Sequence, residues 1–467
     1  MTRRFLAALS VLAFVLAWPV RLDAHAHLEK SSPANGASLA ASPGTVELWF
    51  SEAPQLAVTR VAIVGADSVE HPLLNLRLDP AAKNAVIGDV GGRLAPGRYA
   101  VRWRTAAADG HPSSGAFWFA IAAPAAPAAP AAGAMHADTT HAAVQPQAGS
   151  PSRAATETGT AGSPSVPSVV SRWLEFIALL GFLGAVVFRV AVLPRARREG
   201  VATEGLEALA LGTARITLAA FIVFLLCRLV LEASALHVAF PVVLRTSWGL
   251  GWHVGLAGAV VAVLGIILLG ARPPGWVLAA IGAVLLAVYP SLTGHAAASA
   301  NRALAVGLDI VHVAAAASWV GTLLLVAIAV ARMLRDASPS RDAHAAALVR
   351  AYHPVALASV ALVLFTGVGS LYQRLGAISG LWTTGYGQVL LVKIAVVLVV
   401  LVLGGHNWRV ATPRLGTEQG TRGIARSMRA ELLVACVVLA VTALLVATPS
   451  PELPATTPSA SSASGSP

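Results

Sequence analysis

The stretch QVLLVKIAVVLVVLVLGGHNW, residues 388–408, contains a single Lys, Arg, Asp or Glu residue, Lys393. A helix of this length can cross the hydrocarbon core of a bilayer, which needs about 20 apolar residues. Similar apolar stretches lie near 173–193, 212–233, 251–270, 276–293, 303–331, 353–373 and 429–447. The sequence therefore predicts an all-α polytopic membrane domain of about eight transmembrane helices over residues 168–450.

The composition of the 467-residue chain is typical of a membrane protein: hydrophobic residues make up 56%, charged residues 12%, and the mean hydropathy is +0.71. A soluble domain carries about 25% charged residues. The net charge of +11 comes mostly from arginines between the apolar stretches, so it indicates membrane topology rather than a nucleic-acid partner. The two cysteines exclude a disulfide scaffold and a CxxC site, and the absence of a GxxxxGK[ST] loop argues against ATP hydrolysis.

The N-terminal third contains three different kinds of sequence. Residues 1–24 have a basic start, an apolar core and a small residue, Ala24, at the end, which predicts a secretory signal peptide; an uncleaved anchor helix is the alternative. Residues 25–122 alternate apolar and polar positions between turn signals, which predicts a β-sandwich. Residues 123–167 are rich in Ala, Pro and Ser and predict a flexible linker.

The arginines predict the orientation of the spans. Twelve lie in alternate loops (Arg195, Arg197, Arg198, Arg272, Arg332, Arg335, Arg341, Arg350, Arg409, Arg414, Arg422 and Arg426), and three lie in the others (Arg245, Arg302 and Arg374). Because cytoplasmic loops are enriched in positive charge, the first set lies inside. The β domain and the tail, residues 451–467, then lie outside, and the tail is expected to be disordered.

One group of residues in the β domain can bind a metal ion. Cleavage after Ala24 would give His25 a free α-amine, so its amine and imidazole could chelate one ion. Asp109 and His111 lie in a turn between two predicted strands. Nitrogen and oxygen donors without a thiolate favour Cu(II). A second arrangement would use the amine, backbone amides and His27.

A second group consists of ionisable residues in or near the membrane spans, where such side chains are costly and seldom face lipid. His253, His295, Asp309 and His312 lie towards the predicted outer side, and His353 and His406 towards the inner side. We interpret these as candidates for a copper transport path. Arg228 and Glu232 are four residues apart on one helix, which suits an ion pair.

Two parts of the chain resemble known families. Residues 25–122 resemble the periplasmic CopC copper-binding proteins, through His25-Ala26-His27-Leu28, Lys30–Gly36, Trp103-Arg104, Asp109-Gly110-His111-Pro112 and Phe117-Trp118-Phe119. This resemblance implies an all-β Greek-key sandwich with a Cu(II) site of His25, Asp109 and His111. The stretches Gly294-His295-Ala296, Asp309–His312, Ser318–Gly321 and Tyr386–Gln388 resemble the CopD membrane domain.

Together these resemblances indicate a fused CopC–CopD protein of copper resistance, which is not an enzyme and resides in the inner membrane of a bacterium. We expect it to capture Cu(II) in the periplasm and to import copper, with the oxidation state in the membrane domain left open. Its expected partners are the copper ion, the lipid bilayer and periplasmic copper chaperones, without nucleic acid or ATP. The alternatives are a copper-brace redox enzyme, a haem-binding membrane protein, and copper delivery to respiratory oxidase.

Overall fold

The computed structural model of the protein describes residues 27–123 and 165–448, except 300, 337, 376, 412 and 413. The described residues form two compact units. One contains the β-strands, and the other contains the helices together with residues 107–111. The predicted signal peptide, most of the predicted linker and the predicted tail lie outside the described residues.

The β unit consists of two sheets. Their strands are β1 Leu28–Ser32, β2 Ser38–Leu39, β3 Thr45–Phe50, β4 Arg60–Val64, β5 Glu70–Pro72, β6 Leu74–Leu78, β7 Ala85–Asp89, β8 Gly97–Ala106 and β9 Pro112–Ile121. One sheet has the order β1-β3-β7-β6, and the other has the order β2-β9-β8-β4-β5. The pairs are antiparallel except β2 with β9.

The core of the β unit follows from the alternation along its strands. In β3 the side chains of Val46, Leu48 and Phe50 are buried, while those between them are partly exposed. They pack with apolar residues of the second sheet, and Phe50 meets Trp103 edge to face at a centroid distance of 5.0 Å. Strand alternation places every second side chain on one face, so two such faces bury one core. The predicted β-sandwich is therefore confirmed.

The helical unit contains eight helices that are long and apolar enough to cross a membrane. They are α1 Val166–Arg198, α2 Glu204–Leu236, α3 Ser247–Leu269, α4 Pro273–Leu292, α5 Arg302–Met333, α6 Arg341–Leu375, α7 Gly385–Arg409 and α8 Glu418–Ala447. Short helices lie at Phe240–Val243 and Gly380–Thr383. The predicted polytopic helical domain is confirmed, and α1 begins at Val166, where Ser165 caps it by accepting a bond from the Ser168 amide.

The first and fifth long helices cross where both carry a glycine. Gly184 of α1 lies against Gly321 of α5, and a methyl group at Gly321 would lie 2.9 Å from the Cα of Gly184. Gly321 ends a π-helical segment, Ala317–Gly321, within α5. Small residues let membrane helices approach each other closely. Backbone therefore packs directly on backbone at this crossing.

Candidate metal centre

The loop Ala107–His111 connects β8 to β9 and belongs to the same compact unit as the helices. It closes on itself, because the Ala107 amide donates to the His111 carbonyl at 3.0 Å and the Gly110 amide donates to the Ala107 carbonyl at 3.0 Å. Gly110 has a φ of +91°, a region that glycine adopts without strain. This turn lets Oδ1 of Asp109 accept a bond from the His111 amide at 3.1 Å.

Side chains from α2 and α3 contact this loop. Ser247 Oγ, at the start of α3, donates to the Ala108 carbonyl at 2.6 Å. Gly110 faces Glu232 and Trp248, and an added Cβ there would lie 2.5 Å from Glu232 Oε1 and 2.9 Å from Trp248 Cδ1. The helices thus hold the loop through a close backbone approach that only glycine permits.

Three potential metal ligands converge at this loop. Oδ2 of Asp109 lies 3.0 Å from Nδ1 of His111 and 2.8 Å from Nδ1 of His295. The two imidazole rings stack with their centroids 5.4 Å apart and 21° between their planes. One ligand atom from each of the three residues lies within 4.8 Å of the others, the only such group of three among the described residues. The sequence placed Asp109 and His111 together but assigned His295 to a separate group.

His295 comes from the turn between α4 and α5. It opens a 3-10 helix, His295–Ala298, and only 5% of the residue is exposed. Its ring also lies against that of Tyr386 in α7, edge to face at 6.0 Å. Contacts from two directions therefore fix the orientation of this imidazole.

A buried charged cluster that the sequence analysis missed lies at α1, α2 and α4. Tyr289 donates to Glu175 Oε1 at 2.8 Å, and Arg228 Nε lies 3.8 Å from Glu175 Oε2. Arg228 interacts electrostatically with Glu232, as predicted, but its contact within 4 Å is with Glu175 of α1. Spacing along one helix cannot reveal a partner on another. A carboxylate within an apolar stretch, as at Glu175, was the available signal.

Asp309 and His312 form a different polar region within α5. His312 Nδ1 lies 2.9 Å from Thr366 Oγ1 of α6, within hydrogen-bonding distance. His312 and Asp309 are within electrostatic range of each other and of Lys393 in α7. Asp309 and His312 are near each other, as predicted, and the ammonium group of Lys393 is also near them.

The other predicted ligands lie apart from the three-residue group. His253 bonds through Nδ1 to the Gly249 carbonyl of its own helix at 2.7 Å. His353 lies in a cavity lined by Val349, Arg350, Pro354, Leu357 and Trp408, and its ring is 6.1 Å from that of Trp408. His406 is exposed near the end of α7. His27 precedes β1 in the β unit, and His25 lies outside the described residues.

Comparisons with protein families find two matches in this chain. The CopC domain matches residues 28–122, and CopD, described as copper resistance protein D, matches residues 346–445. The chain is 25% identical to the copper transport protein CutJ of Bacillus subtilis (strain 168), over 96% of this chain and 78% of CutJ. It is 30% identical to protein YobA of Escherichia coli (strain K12), over 24% of this chain and 91% of YobA.

The solved structures that are similar to part of this chain include a CopC protein and a copper resistance protein. CopC from Methylosinus trichosporium OB3b is 25% identical, with 21% of this chain and 94% of that protein covered and a TM-score of 0.20. PcoC, a methionine-rich copper resistance protein from Escherichia coli, is 26% identical, with 21% of this chain and 99% of PcoC covered and a TM-score of 0.19.

Proposed function

Since this chain belongs to the CopC and CopD copper resistance and transport family, we propose that it captures Cu(II) outside the inner membrane and imports copper through its helices. Capture would use His25, Asp109 and His111 of the N-terminal domain. The observation that carries this proposal is that Asp109 and His111 lie in one compact unit with the membrane-length helices. Two of the three residues that would bind the ion, Asp109 and His111, thus lie beside the helices that would pass it on.

The donor set fits copper. Imidazole nitrogen and carboxylate oxygen without thiolate suit Cu(II), and a tetragonal arrangement can use a carboxylate together with imidazoles. The buried Asp109 carboxylate supplies negative charge, and both histidines direct Nδ1 towards it. A divalent cation placed here would interact with that charge at short range in a site that excludes most water.

The inward path would run past Asp309 and His312 and leave near His353 at the cavity beside Trp408. Lys393 and Arg374 carry positive charge near Asp309, and like charges disfavour a bare cation. We therefore infer that copper moves from ligand to ligand rather than as a free ion. His253 and His406 remain candidates for weaker contacts at the two ends.

The proposed direction of transport rests on the predicted topology. Arginine-rich loops on one side predict that side to be cytoplasmic, so the tail and the N-terminal domain would face the periplasm. A collecting domain outside the membrane supplies import, and periplasmic copper chaperones are the partners that would load it. In this proposal the lipid bilayer surrounds the helices, and neither nucleic acid nor ATP is assigned a role.

We assign transport rather than catalysis, and no catalytic residue. Asp109 Oδ2 is close to both imidazole Nδ1 atoms, so a bound ion would have this carboxylate where a copper enzyme must bind oxygen. Peroxide-driven turnover by the purified protein would instead favour the redox enzyme, and a Soret band would favour the haem protein. Loss of oxidase activity at unchanged cell copper would favour delivery to respiratory oxidase.

Copper accumulation in a deletion strain tests the proposal. Wild-type protein should restore cellular copper, while His111→Ala and His312→Ala should leave it near the deletion level at equal protein abundance. His237→Ala is the matched control, because this exposed histidine ends α2 and its Nδ1 lies near the Ala235 carbonyl of the same helix. Equal copper in all strains would overturn import.

A further inference from the structure

The turn between α4 and α5 places an imidazole, that of His295, beside the two loop residues that would capture copper. We propose that His295 is the receiving ligand: it joins Asp109 and His111 around the ion, and copper leaves the N-terminal residue by exchange of His25 for His295. This inference rests on the proposed function, because it takes captured Cu(II) as the occupant. It adds a metal site shared by the loop and the helical turn.

The distances fit one ion. Donor atoms about 2.0 Å from a metal ion and at right angles to each other lie about 2.8 Å apart. The observed separations from Asp109 Oδ2 are 2.8 Å to His295 Nδ1 and 3.0 Å to His111 Nδ1. Both separations can therefore become adjacent edges of one tetragonal coordination sphere with small movements of the rings.

The exposed fractions of the three side chains indicate the order in which an approaching ion would meet them. The side chain of Asp109 is 0% exposed and that of His295 is 2% exposed, whereas that of His111 is 20% exposed. An ion approaching from solvent would therefore meet His111 first and His295 last. This order of burial is expected if His295 accepts the ion from the loop.

The helical turn connects this site to the rest of the proposed path. His295 is followed by α5, the helix that carries Asp309 and His312. Its ring also contacts Tyr386 of α7, the helix that carries Lys393. His295 is thus a link between the captured ion and the two helices whose polar residues lie further along the path.

The test uses the full-length protein in lipid nanodiscs, loaded with Cu(II) alone. In a His25→Ala background the receiving site should still bind Cu(II), and pulsed electron paramagnetic resonance should detect two coordinated imidazoles. Adding His295→Gln should reduce this number to one and weaken binding by more than about tenfold, which even the loss of an outer-shell partner can cost. Glutamine keeps an N–H donor for Asp109, so a purely hydrogen-bonding role for His295 would leave the spectrum unchanged.

A matched control and separate readouts keep the outcomes apart. His237→Ala removes an exposed imidazole whose Nδ1 lies near the Ala235 carbonyl of its own helix, and it should change neither the imidazole count nor the affinity. An unchanged spectrum in the His295→Gln variant would overturn the receiving role while leaving capture intact. If His111→Ala also left the spectrum unchanged, capture by the proposed residues would itself be wrong.

Discussion

Two polar regions of the helical unit contain the same kinds of residue but differ in arrangement. At the loop, Asp109, His111 and His295 direct their ligand atoms to one point. Within α5, Asp309 and His312 lie near the ammonium group of Lys393, and His312 is within hydrogen-bonding distance of Thr366. The first arrangement can coordinate a cation, whereas in the second the positive charge of Lys393 disfavours cation binding. Histidine and aspartate occur in both regions, so the convergence of donor atoms, rather than the presence of these residues, is what marks the loop as a candidate binding site.

The largest expected effect tests this contrast directly. Asp109→Asn removes the negative charge of the carboxylate that lies near both imidazoles. We expect Cu(II) affinity to fall by more than about 100-fold, which exceeds the usual effect of losing an outer-shell partner. Asp309→Asn should leave the affinity unchanged while lowering copper accumulation in cells. Isothermal titration of both variants in nanodiscs measures the first quantity. Equal losses of affinity would show that the two regions do not differ in how they bind copper.

A smaller effect is expected from a substitution in the turn that orients the Asp109 side chain. Gly110→Ala would place a Cβ against Glu232 and Trp248 and would hold a non-glycine residue at a φ of +91°. Such strain costs roughly 1–3 kcal/mol before the clash is added, so Cu(II) affinity should fall about tenfold or more. Gly92→Ala is the control, because an added Cβ there meets no atom within 4 Å. Unchanged affinity in the Gly110→Ala variant would show that the loop adjusts freely.

Replacing Lys393 should have the opposite effect and increase the copper bound at the second region. Without the ammonium group in Lys393→Gln, Asp309 and His312 are expected to retain a weak additional copper ion. Metal analysis after equilibrium dialysis would show more copper per chain than in the wild type. Lys83→Gln, which removes an exposed lysine of the β unit, should not change the stoichiometry. A wild-type value for both variants would mean that the charge of Lys393 does not oppose copper binding at the second region.

The smallest effect is expected at an exposed pair outside both regions. Hydrogen bonds from Asn75 and then Arg77 lower the pKa of Asp89 below its ordinary value of 3.8. This carboxylate therefore adds stability above pH 3.8 and loses it as the pH falls through the lowered pKa. Arg77→Gln should raise the pKa of Asp89 towards 3.8 and slightly reduce the gain of stability with pH in acid unfolding. Copper binding should stay unchanged, and a changed affinity would show that distant surface charge influences the site.

Sequence reasoning reached the two-part fold and part of the candidate site. Alternation along β3 and long apolar stretches such as 388–408 are local patterns, and they predict strands and membrane helices without knowledge of packing. The pairing of Asp109 with His111 could also be predicted, because the two residues lie close together in the sequence. The partnership with His295 was not, because no periodicity connects a hairpin turn with a residue 186 positions from Asp109. The same limit explains why the contact of Arg228 with Glu175 of another helix was not predicted.

The glycine crossing of α1 and α5 has a mechanical consequence. Where Gly184 and Gly321 bring two backbones together, no side chain remains to repack, so sliding of either helix would force main-chain atoms into each other. The crossing therefore resists sliding of α1 against α5. Of the residues in the apolar stretches, 67% are buried in α1 and 61% in α5, compared with 11% in α6 and in α7. We expect α1 and α5 to keep their relative position when the other helices move.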